Sequence, residues 1–266
     1  MTPYTSIVET KSGKYMVFST HDALTEILLR EGIHEEPVIQ VPEFILNCQN
    51  SQNVLDIGAN IGSYSIPLAL NLRNSRLKIH CFEVQRQIYL QLCGNIFLNR
   101  LDNIYTFNFA VGAFDANIKI PKIDYAACWN IGGYSIDQVA LKAARTDFPG
   151  NSIIGVEECE VRAIDGIPNL VPSNLIKLDV EGHELEVLKG MQNHLYESGY
   201  PPIIFEVWKF DWYKEQKNLL LSYLNDIGYT DISVDIGYSN HVAQHERSSS
   251  KRIYFEKVDN ELRISV

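Results

Sequence analysis

Four groups of residues in this sequence have types and spacings that could do chemistry. The first is Asp56-Ile57-Gly58-Ala59-Asn60-Ile61-Gly62, a D-x-G-x-N-x-G pattern behind the apolar pair Val54-Leu55. Such a pattern marks a buried strand handing over to a helix through a turn without bulky side chains. A helix start reached in this way presents unpaired backbone N–H groups and a partial positive charge. A dinucleotide fingerprint would carry glycine where Asn60 stands, so that pyrophosphate could approach the backbone. An acid two places before the first glycine is unwelcome beside pyrophosphate but suits an ammonium. A ligand that combines a carboxylate, an ammonium and a nucleoside fits better, and S-adenosylmethionine is such a ligand. Asp56, Gly58, Ala59, Asn60 and Gly62 are therefore the candidates for its amino-acid end.

The second group is Glu83, at the end of the next apolar run. Adjacent strand ends would bring this carboxylate over the same pocket, where it could accept hydrogen bonds from a ribose diol. Ala110, in Asn108-Phe109-Ala110-Val111-Gly112, is small enough for a flat adenine to lie against the backbone. The third group is Asp179-Val180-Glu181-Gly182-His183. Asp179 ends a strand beside the first and is expected to face the reacting methyl, and Glu181 is a catalytic or helix-capping acid. His183 is a candidate general base or a packing histidine. A metal held by Asp179, Glu181 and His183 is not expected, because a helix starting near Gly182 breaks their convergence. The fourth is Glu206, which interrupts the apolar stretch Ile203 to Trp208. A buried carboxylate is costly unless paired or directed to a cleft, and burial would raise its pKa toward the range useful for proton transfer.

These residues need a scaffold of alternating strands and helices. Runs at 54–57, 77–82, 104–110, 175–178 and 202–208 read as strands. The spacing predicts helices over 63–72, 85–99, 184–195 and 211–227. Short apolar strands alternating with amphipathic helices signal a parallel sheet covered on both faces. Runs at 229–235 and 252–256 are expected to close the sheet as a pair. Before it, residues 1–52 form an N-terminal cap, with a hairpin turning near Ser12-Gly13, a helix over 21–32 stopped by Gly32, and a second helix opening on Pro42. The rhythm breaks over about 113–167. There, strand-like runs at 117–120 and 158–162 flank an irregular stretch, 124–155, with a helical piece near 138–144. Long irregular segments inside compact domains tend to be functional. Trp129 and Tyr134 within it are candidate substrate contacts. His241, in Ser239-Asn240-His241-Val242-Ala243-Gln244-His245, is another, with His245 beside it. The expected organisation is one domain over 1–266, with a core over 53–266.

The chain as a whole resembles the FkbM-type methyltransferases. The resemblance rests on Asp56 to Gly62, Phe82-Glu83 and Phe109 to Gly112. It rests above all on the block Ile176-Lys177-Leu178-Asp179-Val180-Glu181-Gly182-His183-Glu184-Leu185-Glu186-Val187-Leu188-Lys189-Gly190. It implies a class I methyltransferase (Rossmann-like) α/β fold: a seven-stranded sheet whose last strand is antiparallel, with the cofactor at the strand carboxyl ends. It also implies a small-molecule acceptor, often a sugar or polyketide hydroxyl, although some relatives methylate peptide amides. The leading expectation is O-methylation of a saccharide or similar hydroxylated metabolite. The alternatives are N-methylation of a peptide or amide, or a binding partner that retains the fold without turnover.

Bulk properties restrict the partners. Lys plus Arg is 23 against Asp plus Glu 33, a net charge of −10 over 266 residues. That balance disfavours nucleic acid as partner, since non-specific binding to it rests on clustered cations. The five cysteines are scattered, with no C-x-x-C pair, and read as free thiols in a reducing compartment. No apolar run has membrane-spanning length and the first residues lack the pattern of a signal peptide, so a cytoplasmic location is expected.

Overall fold

The computed structural model describes residues 5–18, 22–46, 52–73, 76–126, 128–133, 135–136, 153–258 and 261–266. Tyr134 and the helical piece expected near 138–144 lie outside these residues.

The cap opens with an antiparallel hairpin, β1 (Thr5–Thr10) and β2 (Gly13–Phe18). Helix α1 (Ala23–Glu31) follows. It starts at Asp22, whose carboxylate accepts from the Thr25 N–H at 3.0 Å, and ends at Gly32 in the left-handed region, φ 76°. Both ends follow from side-chain capping and from glycine's freedom at positive φ. Helix α2 (Glu36–Leu46) does not open on Pro42 but contains it. It begins six residues earlier than expected, because Val38, Ile39, Val41, Ile45 and Leu46 pack into the core and override the proline signal.

The core alternates as predicted. Strand β3 (Gln52–Ile57) leads to α3 (Ser65–Asn71), β4 (Leu77–Phe82) to α4 (Arg86–Leu98), and then β5 (Ile104–Phe107). The expected third strand divides after Phe107. Its last residues form β6 (Ala110–Val111), which leaves the main sheet and joins β7 (Ala116–Ile123) and β8 (Ile153–Arg162) in a three-stranded sheet ordered β6-β8-β7. This small sheet is the body of the insertion.

The main chain rhythm resumes at β9 (Leu175–Leu178). The helix expected over 184–195 is two short ones, α5 (Glu184–Lys189) and α6 (Gln192–Glu197), broken at Gly190. A Cβ on Gly190 would stand 1.9 Å from the Gly112 carbonyl oxygen, so the break lets two backbones touch. Strand β10 (Ile203–Glu206), helix α7 (Lys214–Asp226), β11 (Asp231–Ile232) and β12 (Asn240–Gln244) complete the sheet. The order β11-β12-β10-β9-β3-β4-β5 has seven strands, with β12 antiparallel to both its neighbours. The sheet is thus closed by Asn240–Gln244. Residues from 252 onward instead form a separate hairpin of β13 (Tyr254–Val258) and β14 (Glu261–Ser265). Burial explains the exchange: Asn240, Val242, Ala243 and Gln244 are buried, whereas β13 is largely exposed.

Leu55, Ile57, Ile176, Leu178, Ile203 and Phe205 pack on one sheet face, and Val54, Ile79, Leu175 and Ile204 on the other. Two-sided burial is the physical reason these strands read as continuous apolar runs.

Candidate active site

The carboxyl ends of β3, β4, β9 and β10 meet at one edge of the sheet, with Asp179 and Glu206 placed there by the parallel register of β9 and β10. Two cavities open at this edge. One is lined by Gly58, Asn60, Glu83, Ala110, Asp179 and Glu181, among others. The second is lined by Asn130, Ser135, Glu181, Glu206, Trp208 and Trp212, among others. Glu181 is a wall of both.

The glycine loop is tied down. Gly58 and Ala59 both donate to the Phe82 carbonyl at 2.9 Å, and the Asn60 N–H donates to Glu83 Oε2 at 2.9 Å. The Ile61 N–H donates to Asn60 Oδ1 at 2.8 Å, and the Gly62 N–H to the Ala59 carbonyl at 2.9 Å. The expected row of unpaired N–H groups is therefore spent within the loop, and the helix begins only at Ser65. A Cβ on Gly58, φ 88°, would fall 1.7 Å from the Asp179 carbonyl oxygen. Glycine here lets the loop lie directly against the end of β9.

Of the seven residues expected at the cofactor, Gly58, Asn60, Glu83 and Ala110 line the first cavity. Asp56, Ala59 and Gly62 do not. The Asp56 carboxylate is fully buried beneath the loop and accepts from the Ser65 hydroxyl at 2.5 Å. It lines neither cavity and anchors the loop from within. Ala59 packs in the core, and a Cβ on Gly62 would meet Ile66 at 2.8 Å and Leu92 at 2.9 Å, so that glycine serves helix packing.

The acids form one group. Oxygens of Asp179, Glu181 and Glu206 lie within 4.8 Å of one another, a spacing that a divalent cation could share. His183 is not among them; it lines neither cavity and sits beside Gly112. The helix has no side-chain cap; instead Glu184 Oε1 pins the turn before it, accepting from the Val180 and Gly182 N–H groups, each at 3.2 Å. That leaves Glu181, at φ 55°, free to face the cavities. Burial, and then the charges of their acidic neighbours, push the Glu181 and Glu206 carboxyls well above the usual range. Burial lifts Glu83 to about 7, against the lowering effect of its two N–H donors, Gln85 and Asn60.

Beneath the acids lies a cation that sequence reasoning passed over. Lys177 is 2% exposed, and its Nζ donates to Asp179 Oδ2 at 2.6 Å. Burial works against its charge, but Asp179, Glu35 and Asp56 together hold its pKa above normal. A lysine inside the apolar strand Leu175–Leu178 was the available signal. Glu35, from the cap, is also buried and is pushed up to about 7 by burial. Its Oε1 accepts from Asn240 Nδ2 at 3.4 Å, and Asn240 stands across the register from Glu206.

On the acceptor side, the expected Trp129 lines neither cavity and is 49% exposed, while its carbonyl accepts from the Ala23 N–H at 2.8 Å. Its neighbours Asn130, Gly133 and Ser135 line the second cavity instead. His241 lies on β12, with Nδ1 3.0 Å from the Ser233 carbonyl, and His245 stacks on Tyr200 at 3.8 Å; neither lines a cavity. The aromatic wall comes from the segment after β10, where Trp208, Phe210 and Trp212 pack on one another.

The family model for the methyltransferase FkbM domain matches residues 56–231. The chain belongs to the FkbM methyltransferase family. No curated protein matches it. Among solved structures it is similar to the methyltransferase FkbM from Methylobacillus flagellatus KT, at 16% identity and TM-score 0.47, over 83% of this chain and 60% of that one. This FkbM chain thus spans less than two thirds of that protein's length. It is also similar to precorrin-6y C5,15-methyltransferase from Geobacter metallireducens GS-15, at 13% identity and TM-score 0.47, over 82% of this chain and 92% of that one. A third is the S-adenosylhomocysteine-bound methyltransferase of Podospora anserina, at 10% identity and TM-score 0.49, over 85% and 86%. No helix among the described residues is long and apolar enough to cross a membrane.

Proposed function

We propose that this FkbM methyltransferase moves the methyl group of S-adenosylmethionine onto a hydroxyl of a saccharide or similar small hydroxylated metabolite. The observation that carries the reading is the shared wall: Glu181 borders both cavities, with Asp179 on one side and Glu206 on the other. The first cavity lies at the strand ends beside the glycine loop, which Gly58 lets rest against the Asp179 backbone. Glu83, Asn60 and Ala110 would hold the nucleoside end. Bound there, the cofactor supplies an electrophilic methyl on a cationic sulfur.

The chain's own residues then have two tasks, alignment and removal of one proton. Glu181 and Glu206 border the second cavity and, in their ionised forms, can accept the acceptor's hydroxyl proton; burial and acidic neighbours raise both carboxyls well above the usual range. Trp208 and Trp212 offer flat faces on which a sugar ring can pack, and Asn130, Ser135 and Ser239 offer hydrogen bonds to its hydroxyls. The free thiols of Cys81, Cys93, Cys128 and Cys159 support a reducing, cytoplasmic setting.

Calorimetry with S-adenosylhomocysteine, followed by labelled-methyl turnover over a panel of glycosides and peptides, tests the reading. Absence of binding rejects the cofactor. Methyl incorporation into peptide amides but no glycoside rejects the hydroxylated acceptor.

A further inference from the structure

We propose that Lys177 is a positioning residue for methyl transfer, fixing the Asp179 carboxylate at the boundary of the two cavities. Lys177 and Asp179 are two apart on an extended strand end, so their side chains leave the same face of the sheet. That spacing brings Nζ to Asp179 Oδ2 at 2.6 Å, a short charge-assisted hydrogen bond. With 3% of its side chain exposed, Lys177 cannot exchange this partner for water. The Tyr64 ring stands 5.4 Å from Nζ and confines it further. Asp56 pairs with Lys177 across the β3–β9 register, yet Asp56 Oδ2 is taken by Ser65, and the ammonium's hydrogen bond goes to Asp179.

The need for such a clamp follows from the neighbours. Asp179 has oxygens of Glu181 and Glu206 within 4.8 Å, and like charges this close push a mobile carboxylate away. Asp179 lines the first cavity, so a rotated carboxylate would leave the position from which it meets the reacting centre. Glu35, brought in by the cap, is buried and in its ionised form favours the charged state of Lys177. Lys177 itself lines neither cavity and acts only through Asp179.

This inference rests on the reading of the first cavity as the cofactor site, and the experiment separates the two. The full chain is prepared as wild type, Lys177→Met, Lys177→Arg, Asp179→Asn and the Lys177→Met/Asp179→Asn double variant. Crystal structures are determined with and without S-adenosylhomocysteine. Folding is checked by near-UV circular dichroism. If Lys177→Met alone does not fold, Glu35→Gln is added to remove a carboxylate left without its cation. The expected result is an Asp179 carboxylate displaced in the Met variant and kept in place in the Arg variant. With methyl-labelled S-adenosylmethionine and the panel glycoside that turns over best, kcat falls roughly a hundredfold in the Met variant. KM for S-adenosylmethionine stays within about threefold, Lys177→Arg restores much of kcat, and Lys177→Met costs nothing further in the Asp179→Asn background. An unmoved Asp179 in Lys177→Met, or losses that multiply in the double variant, overturns the proposal. Failure of wild type to bind S-adenosylhomocysteine overturns the cofactor reading instead, while the ligand-free structures still decide the role of Lys177.

Discussion

The Glu83 carboxylate accepts the Asn60 N–H at 2.9 Å, tying the end of β4 to the glycine loop that follows β3. Its other oxygen accepts the Gln85 N–H at 2.8 Å. Two donors on a fully buried acid leave it at about 7, because burial outweighs them. On the proposed role of Glu83, a ribose diol would donate to its ionised form, so cofactor binding should draw the proton off. Affinity for S-adenosylhomocysteine is expected to rise with pH up to about 7, by as much as roughly tenfold per unit, and then level. Calorimetry in buffers of different ionisation heat reads the released proton directly. An affinity flat between pH 5 and 7 contradicts this, and Glu83→Gln should flatten it.

Glu35 supplies a stability prediction of definite sign. Its carboxyl is raised by burial from 4.5 to about 7, against the lowering effect of Lys177. A raised folded-state pKa means the folded chain keeps a proton that the unfolded chain releases. The associated stabilisation is complete below 4.5 and is lost as pH rises through 7. Glu35→Gln, which never ionises, should therefore gain on wild type across that window, by on the order of 3 kcal/mol. Denaturant melts of both proteins at pH 4.5 and 8 measure the difference; a gap that shrinks with rising pH would count against it.

Gly58 and Gly155 form a matched pair. At Gly58 a methyl meets backbone at 1.7 Å and φ is 88°, whereas at Gly155 nothing lies within 4 Å. Gly58→Ala should cost about 3 kcal/mol or more and abolish cofactor binding, because the loop must lift off β9. Gly155→Ala should change stability by less than about 0.5 kcal/mol. Equal melting midpoints for the two variants would show that the loop does not lie on β9 as described.

Trp208 and Glu206 line the second cavity, the proposed acceptor side, so their replacements should separate binding from chemistry. Trp208→Ala should raise the acceptor KM about tenfold or more while affinity for S-adenosylhomocysteine holds. Glu206→Gln should lower kcat by about a hundredfold with a smaller change in KM, as expected of a proton acceptor. Both parameters come from initial rates with varied acceptor; a Glu206→Gln enzyme with unchanged kcat assigns the proton to another group.

Much of the fold was legible in the order of residues. Apolar strands ending in Asp56, Glu83, Asp179 and Glu206 fixed the parallel core, because a strand buried on both faces leaves few alternatives. What stayed hidden depended on contacts distant in sequence. The split of the third strand needs β8 as partner for Ala110, and the choice of Asn240–Gln244 over residues 252–256 as closing strand was made by burial. Side-chain direction was the other gap. Asp56 lies one residue before the end of β3 and Glu83 just after β4, and one turns beneath the loop while the other reaches the cavity. Glu184, not Glu181, takes the N–H groups of the turn at Val180 and Gly182, and Glu181 borders both cavities. Lys177 was visible as an oddity in an apolar strand, but only its 2.6 Å bond to Asp179 gives it meaning.

Glu35 enters the site from a segment that precedes the first strand of the main sheet. A shortened chain starting at Gln52 would still contain every strand of that sheet and every motif of the family pattern. It would nevertheless carry Lys177 with one fewer counter-charge and Asn240 with no acid to hold. Swapping this front segment between relatives is therefore a way to retune the reaction without touching the residues that bear it.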